Sequence, residues 1–177
     1  MLFGIISDTH IPDRANNIPK SVYDIFKDVD TIIHCGDITS KKVLVDLDEN
    51  TPAHELIAVK GNMDKLDLPK NIFLTVENYN IGIIHGNQIN PRGDLLKMKY
   101  YCLENNLDIL ISGHTHIPLI EKINIPELEK EILLLNPGSP TIPKYPLKTV
   151  MTLEINKNNI IPRLICVDNL KKYEKIV

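Results

Sequence analysis

Five short clusters of metal-liking side chains punctuate this chain, each directly after an apolar run. They are Asp8-Thr9-His10 after Leu2–Ile6, Gly36-Asp37 after Thr31–His34, Gly61-Asn62 after residues 56–59, His85-Gly86 after 81–84, and Gly113-His114-Thr115-His116 after 107–111. Four of the six histidines fall in these clusters. Asp8, His10, Asp37, Asn62, His85, His114 and His116 together offer four imidazoles, two carboxylates and one amide oxygen. That is too many donors for one four-coordinate zinc and suits two metals that share a bridge. Asp37, central in the order, is the expected bridging carboxylate. A mixed imidazole and carboxylate shell suits Mn, with Ni, Fe, Co or Zn as alternatives, whereas Ca and Mg favour oxygen-only shells. Two metals about 3.5–4 Å apart can clamp a phosphoryl centre and make hydroxide near neutral pH.

Seven donors scattered over more than a hundred residues need a scaffold that gathers them. A short apolar run rich in β-branched residues reads as a buried strand. In open α/β sheets, ligands bind just outside the carboxyl ends of strands, so the five clusters are expected to converge. The chain reads as βαβα followed mostly by β. Pro19 can start a helix with Val22, Ile25 and Phe26 at helical spacing, and Ser40 can cap a second carrying Val43, Leu44 and Leu47. Residues 66–71 read as a loop containing Pro69. Segments 73–76 and 81–84 read as strands about a turn at Asn78-Tyr79-Asn80. A third helix is expected over 93–105. Segments 119–123, 132–135, 150–155 and 160–167 read as antiparallel strands, with Lys157-Asn158-Asn159 as a hairpin between the last two. The division expected is one domain over 1–167 and a short charged tail over 168–177.

Composition fits one globular unit. A length of 177 residues, 43% hydrophobic and 24% charged, is enough to bury a core. The net charge of −3 leaves no basic footprint for nucleic acid. Three cysteines without close spacing argue against a disulfide framework. No run of 18 apolar residues occurs, and the chain opens directly on a strand, so neither a membrane span nor a signal peptide is expected. The expected location is the cytoplasm. Oligomeric state is open, a homo-oligomer included.

The ordered motifs Asp-x-His, Gly-Asp, Gly-Asn, His-Gly and Gly-His-x-His resemble the calcineurin-like metallophosphoesterases. The length and the phrase Asn136-Pro137-Gly138-Ser139-Pro140 are similar to its small YfcE-type phosphodiesterase branch, which also contains the retromer subunit of vacuolar protein sorting. The resemblance runs from Met1 to about Val167. It implies an α/β fold, a four-layer α/β/β/α sandwich of two mixed sheets flanked by helices. It further implies that Asp8, His10, Asp37 and His116 hold one metal, that Asp37, Asn62, His85 and His114 hold the other, and that Asn62 lies near the substrate phosphate. Two positions depart from the pattern. Where related phosphatases place a histidine after Gly-Asn, a proposed general acid, this chain has Met63. Where small-branch members show His-Gly-His, it has Asn87, which can hydrogen-bond phosphate but cannot titrate.

The reading is a metal-dependent phosphodiesterase acting on a small phosphodiester. A metal-activated water attacks phosphorus in line, and Asp37 and Asn62 are the protein groups at the reacting centre. The alternatives are a phosphomonoesterase or nucleotidase at the same site, or a weakly catalytic interaction scaffold of retromer-subunit type. Each remaining candidate has a plainer reading. His34 reads as a core or supporting residue, His54 as surface, and Cys35, Cys102 and Cys166 as packing residues. Arg92 and Lys144 read as solvated charges. Asp64 reads equally as a turn residue or a group orienting a ligand imidazole. The 136–140 loop reads equally as a rigid turn or a substrate contact.

Overall fold

Strand apolarity on both faces requires that each sheet be covered on both sides, and that is the arrangement found. The structure, a computed structural model, describes residues 1–157 and 159–174. Its elements run β1 (Leu2–Ile6), α1 (Lys20–Ile25), β2 (Thr31–His34), α2 (Lys41–Asn50), β3 (Glu55–Ala58), β4 (Asn71–Val76), β5 (Tyr79–Ile84), α3 (Leu95–Glu104), β6 (Ile109–Ile111), β7 (Leu119–Ile125), β8 (Lys130–Asn136), β9 (Thr149–Ile155), β10 (Ile160–Cys166) and β11 (Lys172–Glu174). The strands form two mixed sheets, ordered β11-β10-β9-β1-β2-β3 and β4-β5-β6-β8-β7.

Alternate side chains of the same strands serve different layers, the period-two consequence of the pleat. Phe3, Ile5, Ile33, Met151 and Leu153 of the first sheet pack against Ile81, Ile83, Ile109, Ile111, Leu133 and Leu135 of the second. Ile6, Ile32, Val150 and Ile165 face outward onto Val22, Phe26, Val43 and Leu47 of the first two helices and their ends. Ile84, Leu110, Ile132 and Leu134 pack against Met98 and Cys102 of α3. Three apolar interfaces between four layers make the α/β/β/α sandwich expected from the resemblance. Among the described residues no helix is long and apolar enough to cross a membrane.

Local signals account for most helix ends. Ser40 Oγ accepts from Lys42 N at 3.2 Å, and Asp94 accepts from Lys97 N at 3.0 Å, so α3 begins at its acidic cap and not at Gly93. Several expectations are corrected. Val76 pairs with Tyr79, so the turn falls at Glu77-Asn78 and Tyr79 and Asn80 belong to β5. Glu77 takes the left-handed conformation at φ 53, a preference that the Asn-rich stretch hid. β4 starts at Asn71, inside the expected loop. β6 starts only at Ile109, because Leu107 N is taken by Cys102 O at 2.8 Å to close α3. The late strands are not all antiparallel. β8 inserts between β6 and β7, parallel to β6 and antiparallel to β7. In the expected tail, Lys172–Glu174 pairs with Arg163, Leu164 and Ile165 as an edge strand. Three residues without apolar alternation gave no sign of it. Asn158, within the expected last hairpin, lies outside the described residues.

Candidate metal centre

Both sheets deliver their donors to one place because the carboxyl ends of β1, β2 and β3 meet those of β5 and β6. Backbone bonds lock the loops that follow: Asp8 N to Gly36 O and His10 N to Asp37 O, both 3.0 Å, and Gly113 N to His85 O at 2.9 Å. Two bonds cross between the sheets. His114 N donates to Asp8 Oδ2 at 2.9 Å, and His85 Nδ1 donates to Cys35 O at 2.7 Å.

The donors fall into two adjoining groups. Asp8, His10 and His116 each place a ligand atom within 4.8 Å of the others, and so do Asp37, His85 and His114. His116 Nε2 is 3.3 Å from Asp8 Oδ1, and His114 Nδ1 is 3.2 Å from His85 Nε2. Asp37 Oδ2 lies between the groups, 3.4 Å from His10 Nε2 and 3.5 Å from His85 Nε2. Asn62 stands at the exposed rim with its Oδ1 3.2 Å from His85 Nε2. All seven residues singled out in the sequence are thus brought together.

The remaining lone pairs are consistent with cations. Asp8 Oδ2 accepts from Ser7 Oγ at 2.6 Å and from His114 N, while Asp8 Oδ1 is buried with no partner. Asp37 Oδ1 accepts from Met63 N at 2.8 Å, leaving Oδ2 aimed inward. His85 and His116 donate through Nδ1 to Cys35 O and Ile142 O, which frees each Nε2 as a ligand. Both ring nitrogens of His10 are without partners. Buried polar atoms left orphaned are rare in folded proteins, and a metal ion removes the orphaning of Asp8 Oδ1 and His10 Nε2 together.

Close backbone approach and unusual conformation hold this arrangement. A Cβ on Gly61 would fall 2.2 Å from both Asp37 N and Asp37 Oδ1, and one on Gly113 would fall 1.9 Å from Ser7 Oγ. Only glycine fits at these two positions. Asp8, His10, Asp37, His114 and His116 all adopt left-handed φ between 48 and 67. Such a conformation costs non-glycine residues of order 1 kcal/mol or more and persists where the surroundings over-determine it, commonly at functional sites.

Burial holds three of the histidines below their ordinary range. Burial drives His10 and His114 down to about 4, with neighbouring imidazoles acting in the same direction and Arg14 adding to the effect at His10 and Arg92 at His114. Burial drives His34 to about 3. Burial alone would raise Asp37, but the hydrogen bond and charge of His85 and the Met63 N–H bring it to about 2. His85 moves the other way: burial lowers it, and the opposing pull of Asp37 and Asp8 raises it above 6.5. Asp8 is raised, chiefly by burial.

A pH dependence follows for the metal-free protein. In the unfolded chain a histidine titrates near 6.5, whereas folded His10, His34 and His114 take up protons only near 3 to 4. Below pH 6.5 the unfolded state therefore binds more protons, and stability falls until the folded groups also titrate. His85 and Asp8, both raised, oppose this, while Asp37, held low, adds to it, so four groups outweigh two. The urea midpoint of EDTA-treated protein is expected to drop steadily from pH 7 to pH 4. An unchanged midpoint would refute the assignment of these three rings as neutral.

Several supporting residues escaped the sequence reading. Ser139 Oγ donates to Asp8 O at 2.8 Å, and Thr141 Oγ1 donates to Thr9 O at 2.9 Å. Asn136 Nδ2 donates to Gly113 O at 2.7 Å. The 136–140 loop therefore buttresses the Asp8 and His114 segments. Asp64 orients no imidazole: its oxygens accept from Thr39 N at 2.7 Å and Gly61 N at 2.8 Å. Cys35 contributes its carbonyl, while its buried thiol is pushed well up in pKa by burial. Cys102 and Cys166 are buried and free. His34 lies in the core with Nε2 3.1 Å from Thr9 Oγ1, and His54 is exposed.

Comparisons with known proteins show the family to which the chain belongs. The sequence model of the calcineurin-like phosphoesterase superfamily domain matches residues 1–158. A probable metallophosphoesterase of Methanocaldococcus jannaschii is 50% identical over 155 residues, covering 88% of this chain and 76% of that protein. Among solved structures, Vps29 of Entamoeba histolytica in complex with zinc is 29% identical with a TM-score of 0.83, covering 100% of this chain and 98% of the other. An archaeal phosphodiesterase is 26% identical with a TM-score of 0.67 and full coverage of both chains.

Proposed function

Because this chain belongs to the calcineurin-like phosphoesterase superfamily and is a metal-dependent phosphoesterase, we propose that it hydrolyses phosphodiesters at a dinuclear centre. Asp8, His10, Asp37 and His116 hold one ion, and Asp37, Asn62, His85 and His114 hold the other. The observation that carries this reading is the position of Asp37 Oδ2, 3.4 Å from His10 Nε2 and 3.5 Å from His85 Nε2, one oxygen between two donor groups. Manganese is the proposed metal, since the mixed nitrogen and oxygen shell suits it. When bound, the ions neutralise phosphoryl charge and acidify water.

The chain's own groups do the rest. Hydrolysis joins a water oxygen to phosphorus and breaks the bond from phosphorus to the leaving oxygen. The products are a monoester and an alcohol, and the water proton goes to the leaving oxygen or to solvent. Asn62, exposed at the rim, turns its Oδ1 toward His85 and leaves its N–H groups to donate to a phosphoryl oxygen. A covalent intermediate has no nucleophile here. Ser7 Oγ is held by Asp8 and Cys35 O, and the Cys35 thiol is buried and resists ionisation.

Metal analysis and turnover test the reading. Saturation with Mn is expected to give two ions per chain, and EDTA is expected to abolish hydrolysis of bis(4-nitrophenyl) phosphate. One ion or fewer at saturation, or full activity in EDTA, overturns the dinuclear centre. Faster turnover of 4-nitrophenyl phosphate than of the diester would instead favour the monoesterase reading. The likeness to Vps29 favours a third reading, an interaction scaffold whose metal is structural. Two bound ions with no turnover of either ester would point to it.

A further inference from the structure

A polar cavity of about 520 Å³ opens beside the candidate metal centre. Lys60, Asn62, Lys70, Asn71, Asn87 and Tyr101 supply the side chains that bear on its chemistry. Its walls continue the segments that carry metal donors: Lys60 and Gly61 lead directly into Asn62, and Asn87 lies two residues beyond His85. The volume lies within the range of small-molecule sites, roughly 300–1,000 Å³.

Apart from Asp64, the polar side chains of the lining can all donate, and Gln88 Oε1 is taken by Gly86 N. Lys60 and Lys70 form no ion pair among the described residues. The one carboxylate in the wall, Asp64, is buried and already accepts from the backbone N–H groups of Thr39 and Gly61. It turns both oxygens to the backbone and pairs with neither lysine. The amides of Asn71 and Asn87 and the Tyr101 hydroxyl have no protein partner among the described residues. Two ammonium groups, two amides and a phenol around one space match a tetrahedral dianion, which carries several acceptor oxygens. A second cavity, about 270 Å³, meets His114 through Gly113 and Thr115 and is lined by Ile89, Met98, Ile117 and Leu119, with Arg92 as its one charged residue. The two arms of a diester would meet unlike surroundings: one cation and a largely apolar wall in the second cavity, two lysines in the first.

We infer that the Lys60–Lys70 cavity is a substrate subsite for a second phosphate, so that the preferred substrate is a phosphodiester with a phosphorylated arm. This rests on the phosphodiesterase reading above. Asn87, whose amide does not titrate, then serves as a hydrogen-bond donor to that phosphate at every working pH.

The test compares two aryl diesters differing only at the tip of one arm: 4-nitrophenyl 3-hydroxypropyl phosphate and 4-nitrophenyl 3-phosphonopropyl phosphate. The phosphonate cannot itself be hydrolysed, and both release 4-nitrophenolate. Mn-loaded protein is expected to favour the phosphonate by about tenfold in kcat/KM, carried by KM and weakened by salt. In Lys60→Gln/Lys70→Gln protein that ratio is expected to fall to near one, with metal content unchanged. Equal kcat/KM for the two compounds in the unaltered protein, or a ratio unaltered by the double substitution, overturns the subsite. If neither compound is hydrolysed, the phosphodiesterase reading fails by itself. The subsite is then decided by calorimetric binding of the same two compounds, with tighter binding of the phosphonate, lost in the double variant, supporting it and equal binding overturning it.

Discussion

Asp37→Asn protein is expected to retain its fold, bind no more than one Mn per chain, and lose about a thousandfold in kcat/KM, well beyond the 10–100-fold typical of changes outside the metal's own ligands. The substitution is chosen to isolate the bridge. An amide at position 37 keeps an acceptor for Met63 N, which donates to Asp37 Oδ1 at 2.8 Å. Asparagine also tolerates the left-handed φ of 53 found there. What it removes is the second anionic oxygen, the one between His10 and His85. With a neutral amide there, two cations face each other with less charge between them, and the repulsion expels one. His54→Ala serves as the control, because His54 is exposed and remote from the donor groups in the fold. It should leave metal content and turnover near those of the unaltered protein. Two ions per chain in Asp37→Asn protein, or equal damage from His54→Ala, would show that Asp37 does not bridge.

The donors were legible in the sequence because each lies within a few residues of the end of a mainly apolar strand, and strand ends converge in α/β folds. His85 and His114, from the second sheet, sit against Cys35 O and Asp8 of the first. That union of two sheets came from the family resemblance and not from periodicity. Residues that act through the backbone were less legible. Ser139, Thr141 and Asn136 donate to carbonyls 23 to 132 residues away, and a lone serine or threonine in a loop advertises no partner. Asp64 has the right residue type for orienting an imidazole, yet its partners are two amides, and only coordinates distinguish those roles. The β6-β8-β7 order was also hidden. A short strand that inserts between two others has the same local pattern as one that follows in a meander.

The strained backbone and the orphaned lone pairs share one physical origin. Five donors with left-handed φ and two glycines that admit no side chain compress the loops until Asp8 Oδ1 and both ring nitrogens of His10 are buried without a hydrogen-bond partner. Each feature is unfavourable alone. Ion binding would return the free energy by satisfying the same atoms, so the site is preorganised for metal at a cost to the metal-free fold.

Hydrolysis is expected to slow steeply as the leaving group becomes more basic, because Met63 stands where a proton donor would serve. Met63 is 41% exposed, next to Asn62, and its thioether cannot donate a proton. General acid assistance is worth about 10²–10⁴-fold, and most of that is forfeited when an alkoxide must leave unaided. An aryl oxide of low pKa needs no such help. Across a series of methyl aryl and dialkyl phosphates, kcat/KM should therefore fall by several orders of magnitude, roughly tenfold per unit of leaving-group pKa at the steepest. Met63→His offers the converse test. The link from this residue to the site is its backbone N–H on Asp37 Oδ1, which the substitution keeps. The new imidazole is expected to raise turnover of alkyl esters selectively and leave aryl esters nearly unchanged, flattening the slope. A flat dependence in the unaltered protein, with burst kinetics excluding slow product release, would mean that another group supplies the proton and that Met63 is no gap in the mechanism.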